Sequence, residues 1–173
     1  EELAIFKPFL VAGTLMTTSG LRYAYELDEL RSKIPSLGNI RYISAVVVND
    51  IERYGIHMLD AVNALGFTDA IKILRMPAEH GAFSITFKDN LTMDLHCLGS
   101  VSKTFHLSVY GDNGHAHVDL HDNFMAFKNT LSKFFEMCKS GIPQIPPDQV
   151  IRTMQLINAA KKLDPSEATF LNL

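Results

Sequence analysis

A histidine, an aspartate and an arginine along one short segment are the residues best placed for chemistry in this sequence. The run Arg53-Tyr54-Gly55-Ile56-His57-Met58-Leu59-Asp60 follows a β-branched stretch, Ile43 to Val48, and leads into Ala61-Val62-Asn63-Ala64-Leu65-Gly66. His57, Asp60, Ala61 and Ala64 have the i, i+3, i+4, i+7 spacing of one helix face. A histidine at a helix start feels the positive end of the dipole, which favours the neutral ring and suits a proton acceptor. The same spacing also fits a core histidine with a satisfied hydrogen bond. A second cluster, His115, His117, Asp119 and His121, alternates as residues on one side of a strand do. Such a row extends over roughly 20 Å at strand rise, too long for a single ion, and no metal site is expected. The two cysteines, Cys97 and Cys138, lack metal-ligand spacing and read as buried free thiols in a reducing cytosol.

The segment Gly55-Ile56-His57-Met58-Leu59-Asp60 resembles the Gly-x-His-x-x-Asp stretch of the glucose–fructose oxidoreductase/inositol dehydrogenase (Gfo/Idh/MocA) family of NAD(P)-dependent oxidoreductases. Other similarities follow in the same order: Ser19-Gly20-Leu21-Arg22-Tyr23 before Leu37-Gly38-Asn39-Ile40, then Val109-Tyr110-Gly111-Asp112-Asn113-Gly114 before Val118-Asp119-Leu120. Ser140-Gly141-Ile142-Pro143 and Met154-Gln155-Leu156-Ile157-Asn158-Ala159-Ala160 complete them, so the resemblance runs from about Leu15 to Lys162. It implies that residues 15–173 form the C-terminal substrate-binding and oligomerisation domain of a sugar, cyclitol or polyol dehydrogenase using NAD or NADP. Residues 1–14 would be the tail of the nucleotide-binding domain, its last strand and Lys-Pro pair.

In the resembled family an acidic-Lys-Pro triplet places its lysine beside the nicotinamide and the substrate hydroxyl. Lys7-Pro8 is similar, with Phe6 at the acidic position, so Lys7 is the implied catalytic and cofactor-contacting residue beside a catalytic His57. The family also places a helix after that triplet, for which only Phe9 to Ala12 remain. Its usual aspartate four residues before the histidine is here Arg53. Arg53 would lower the basicity of His57 and could hold a hydroxylated or anionic substrate by its fork, but cannot act as a base. Arg22 and Tyr23 are the further substrate-binding candidates. No Gly-x-Gly-x-x-Gly follows any strand, so the dinucleotide would be bound mainly outside this chain. The alternative is a non-catalytic ligand-binding or scaffold domain of the same fold.

With 173 residues, 47 % hydrophobic and 20 % charged, the chain has enough sequence for a substantial core. A net charge of −3 and no basic run beyond Lys161-Lys162 argue against nucleic acid. No apolar run approaches a membrane span and no leader precedes the first strand, so the expected setting is cytoplasmic.

The elements that must position His57 follow from periodicity. A short buried strand is expected at Glu2–Phe6, helices at Tyr23–Ile34, Tyr54–Leu65, Asn123–Lys139 and Asp148–Leu163, and a strong strand at Ile40–Val48. Ala70–Met76, Phe83–Phe87, Leu91–Cys97, Phe105–Val109 and Ala116–Leu120 read as consecutive strands of hairpins. The result is an α+β fold: an open, largely antiparallel sheet with helices packed on one face. Phe124, Phe127, Leu131, Phe134, Phe135 and Cys138 form the apolar stripe of the helix at Asn123–Lys139. The other sheet face carries Ser84, Thr86, Thr92, Asp94, His96, His106, Ser108, Tyr110, His115, His117 and Asp119. Its poverty in lysine and glutamate, with histidine and tyrosine enriched, predicts a homo-oligomer contact.

Overall fold

The computed structural model describes residues 2–170. Seven strands form one sheet: β1 (Ile40–Val47), β2 (Ala70–Arg75), β3 (Gly81–Phe87), β4 (Thr92–Cys97), β5 (Phe105–Gly111), β6 (Gly114–Asp119) and β7 (Ala168–Phe170), in the order β6-β5-β1-β4-β3-β2-β7. Every pairing is antiparallel except β1 with β4. The expected α+β class and largely antiparallel sheet are what forms. Local turn signals give the β3–β4 and β5–β6 hairpins. They say nothing of β1, which inserts between β4 and β5 and has both edges covered.

Alternation sets the two faces. Ile43, Ala45, Val47, Ile73, Ile85, Met93, Leu95, Leu107 and Val109 are at most 1 % exposed and form the core side. Against them lie α2 (Glu26–Lys33) through Leu27 and Leu30, α3 (Ile56–Ala64) through Met58 and Val62, and α5 (Pro147–Ala160) through Leu156 and Ile157. Gly111, at the β5 turn, passes so close to Leu37 that a Cβ there would collide with its carbonyl oxygen.

Several expectations are corrected. Residues 2–6 are not a buried strand: α1 (Glu2–Val11) is a helix that runs through Pro8 and leaves Ile5, Phe6, Phe9 and Val11 exposed. The second helix starts at Glu26, after a 3-10 turn at Gly20–Tyr23, and runs into a further 3-10 turn, Ile34–Leu37. The fourth helix, α4 (Asn123–Ser140), is capped by the Asp122 side chain and closed by left-handed Gly141, as the sequence predicts. Its phenylalanine stripe, however, faces outward. Phe124, Phe127, Leu131, Phe134 and Phe135 are exposed, and so is Cys138, while Ala126 and Met137 are buried. The helix rests on the Gly20–Tyr23 turn, where the small side chain of Ala126 permits close approach. Cys97 is buried as expected, and burial pushes its thiol up to about 12.

Candidate functional site

His57 is the second residue of α3, yet not at the start of the helical run. Asp50 caps a π-helical turn, Ile51–Gly55, by accepting the Arg53 N–H at 2.8 Å, and this turn runs directly into α3. The dipole end therefore lies at Ile51, more than a turn away. What holds the His57 imidazole below its ordinary range is burial, opposed by the charge of Asp60.

Three elements converge on the ring. Its Nδ1 lies 2.6 Å from the Oγ of Ser19, the cap of the 3-10 turn, whose hydroxyl also accepts the Leu21 N–H at 3.1 Å. Tyr54 and Phe105 approach it with ring centroids at 5.5 and 5.9 Å, both edge-on. Together with Gly20, Leu21, Asn123, Ala126 and Phe127 they line a cleft of about 350 Å³. The walls are mostly apolar, and His57 Nε2 has no hydrogen-bond partner among the described residues.

Behind the ring lies a buried polar knot. Asp60, 7 % exposed, accepts the Ser19 N–H at 2.6 Å and the Thr18 hydroxyl at 3.0 Å on Oδ2. Its Oδ1 is 3.8 Å from Arg22 Nη1, and Arg22 Nη2 donates to Gln149 Oε1 at 2.7 Å. Burial pushes the Asp60 carboxyl up, against the pull of the Ser19 N–H, Arg22 and the Thr18 hydroxyl. The Tyr23 hydroxyl is likewise pushed up by burial, with Arg22 opposing, and is buried without a well-formed hydrogen bond among the described residues. Arg22 and Tyr23 thus stand behind the cleft and not in its wall.

The structure brings His57, Arg22 and Tyr23 into one neighbourhood and leaves Lys7 and Arg53 outside it. Lys7 sits on α1, exposed, with Nζ 3.5 Å from Asp148. The helix removes the strand-end setting on which its role rested. Arg53 is 74 % exposed and its nearest ion-pair partner is Asp50 at 4.0 Å. It is not what depresses His57. Sequence reasoning placed Asp60 on the face of His57 without giving it a role, and missed Ser19, whose place as a cap before Gly20-Leu21 was the available signal.

Solved structures of similar fold include inositol dehydrogenases and an aldose–aldose oxidoreductase. The myo-inositol dehydrogenase of Corynebacterium glutamicum superposes with a TM-score of 0.78 at 13 % identity, over 94 % of this chain and 66 % of that one. The fold is one shared with inositol dehydrogenases. The Lactobacillus casei myo-inositol dehydrogenase, solved with NAD(H) and myo-inositol, superposes at 0.70 with 16 % identity over 91 % of this chain and 62 % of that one. The aldose–aldose oxidoreductase of Caulobacter crescentus, solved with glycerol, gives 0.68 and 14 % over 86 % and 61 %. This inositol dehydrogenase fold therefore occupies about two thirds or less of the length of each relative. No protein-family model matches the sequence, and no curated protein matches it.

Proposed function

We propose that this chain is the substrate-binding and assembly domain of a nicotinamide-dependent oxidoreductase acting on a sugar, cyclitol or related polyol. The observation that carries the proposal is His57: the histidine of the family-like motif stands in a cleft of a fold shared with inositol dehydrogenases. Lys7, the one cofactor candidate the sequence offers, is paired with Asp148 and does not line the cleft. NAD or NADP, held chiefly by another part of the parent protein, would supply the hydride chemistry. This chain's own share is to seat the ligand ring against Tyr54, Phe105 and Phe127 and to exchange a proton with its reacting oxygen through His57. Asp60, Ser19 and Arg22 fix the 3-10 turn against α3, and so fix the imidazole.

One observation favours the second reading, a non-catalytic binding or scaffold domain: the residue four before His57 is an exposed arginine, and among the described residues no carboxylate is hydrogen-bonded to the ring. Steady-state kinetics of the parent protein on a panel of cyclitols and sugars with both nicotinamide cofactors separates the two. Turnover that falls about 10²–10⁴-fold in His57→Ala, with a smaller change in substrate affinity, supports the enzyme. A folded, cofactor-bound parent that reduces neither cofactor supports the scaffold, and turnover unchanged in His57→Ala removes His57 from the site.

A further inference from the structure

We infer that Ser19 fixes the ring form of His57, as the tautomer protonated on Nε2, so that the neutral ring offers the cleft a hydrogen-bond donor. The argument is an account of one hydroxyl. Ser19 is 4 % exposed, and its Oγ has one proton to give and two lone pairs to share. The Leu21 N–H takes one lone pair at 3.1 Å. The 2.6 Å contact with His57 Nδ1 then runs in one of two directions. If Nδ1 carries the hydrogen, it donates to Oγ and the hydroxyl proton of Ser19 needs another acceptor. Among the described residues it has none, since the contact with His57 is the only one open to it as donor. A buried hydroxyl left without an acceptor is disfavoured by roughly tenfold or more. If Oγ–H donates to a bare Nδ1, both groups are satisfied and the ring hydrogen sits on Nε2.

The surroundings leave this choice to Ser19. From its own helix the ring faces Tyr54, edge-on, and the Asp60 charge. From the 3-10 turn it faces Ser19, with Arg22 behind Asp60. β5 contributes Phe105, over which Lys103 Nζ stands at 6.0 Å, and α4 contributes uncharged Asn123 and Phe127. Among the described residues only Ser19 is hydrogen-bonded to the imidazole.

An Nε2–H can hand its proton to a carbonyl oxygen directly, whereas a carbinol can give its proton only to a bare Nε2 and hence to the rarer ring form. Ser19 is thus a positioning residue that biases the resting site toward the carbonyl member of a carbonyl–carbinol pair. That last step rests on the substrate-site reading above; the ring form does not.

Nitrogen-15 NMR of histidine-labelled chain without ligand tests the ring form, with His57→Gln used to assign the signal. Nε2 should be protonated and Nδ1 bare. The pH titration gives a second readout whose sign differs between the two directions. A hydroxyl donating to Nδ1 stabilises the neutral ring, so Ser19→Ala should raise the His57 pKa by roughly 0.5–1 pH unit, and Ser19→Thr should keep the wild-type value. A wild-type ring protonated on Nδ1, or a pKa that falls in Ser19→Ala, overturns the inference. Should Ser19→Ala fail to fold, the wild-type nitrogen pattern decides. None of this needs turnover, so a parent that proves inactive would sink the oxidoreductase reading and leave the ring result standing.

Discussion

At the scale of single residues, His57 carries a cost that the pH dependence of stability should expose. Burial depresses its folded pKa below the ordinary value of 6.5. The unfolded chain then binds a proton more readily than the folded one between that folded value and 6.5, so stability rises with pH through this window. His57→Gln removes the effect. Urea midpoints measured at pH 7.5 and 5.5 should therefore show wild type losing more stability on acidification than His57→Gln, the other six histidines being common to both. An equal loss in both would mean that the imidazole is not desolvated. Arg53 makes the opposite case. Its exposed side chain has Asp50 as its ion-pair partner among the described residues, so Arg53→Ala should change turnover and substrate affinity of the parent by less than about threefold, in line with surface substitutions. A large loss of affinity would show that another part of the parent brings the ligand to Arg53, as the sequence alone had led one to expect.

At the scale of elements, the packing of α2 against the start of α4 depends on one carboxylate. Glu26, 6 % exposed, accepts the N–H groups of His121 and Asp122 on Oε1, at 3.0 and 2.9 Å. Burial alone would push its pKa up, but these two N–H groups outweigh it and hold the carboxyl below its ordinary range. Glu26→Ala would orphan both donors at a cost of about 2–4 kcal/mol, whereas Glu26→Gln keeps an acceptor and should retain most of the stability. Thermal melts of the two variants check this, and equal melting temperatures would refute it. The same junction shows what sequence can and cannot tell. The Asp122 cap, the Gly141 stop and the alternation of β3 to β6 are local, and each is readable from a few neighbouring residues. The site is partly readable too, because i, i+3 spacing puts His57 and Asp60 on one face whatever surrounds them. The placement of β1 beside β4 and β5 is set by long-range pairing, with no local signal. The phenylalanines of α4 show the same limit: periodicity says that the helix has an apolar face, not what covers it. Glu2–Phe6 misleads for a simpler reason, since a short apolar run ending at proline fits a strand and a helix equally well.

At the scale of the molecule, two surfaces compete as the place where copies meet. The open sheet face is polar, and its groups are largely engaged with one another. His106 bonds Asp119 at 2.7 Å and Ser108 at 2.8 Å, the Tyr42 hydroxyl donates to Asp94 at 3.0 Å, and His117 stacks on His106 with centroids 5.7 Å apart. Such a face can be covered without stranding polar groups, which favours a flat, specific contact. The α4 stripe is the contrary case. Phe124 at 76 %, Phe127 at 59 % and Phe135 at 57 % exposure are apolar area left against water, and apolar patches of this kind drive association of any geometry. The residues that dominate each surface are far apart in chemistry, so substitution separates them. If the sheet face carries the assembly, His117→Glu should break it, because a two-fold contact brings the new carboxylates of both copies together. Phe134→Ser with Phe135→Ser should then leave the oligomer intact. Sedimentation velocity at micromolar concentration is the measurement: a dimer or tetramer that only His117→Glu dissociates supports the sheet face. An assembly that survives His117→Glu and is lost with the two serines would instead assign it to α4. A wild-type chain that sediments as a monomer would show that neither face is sufficient by itself.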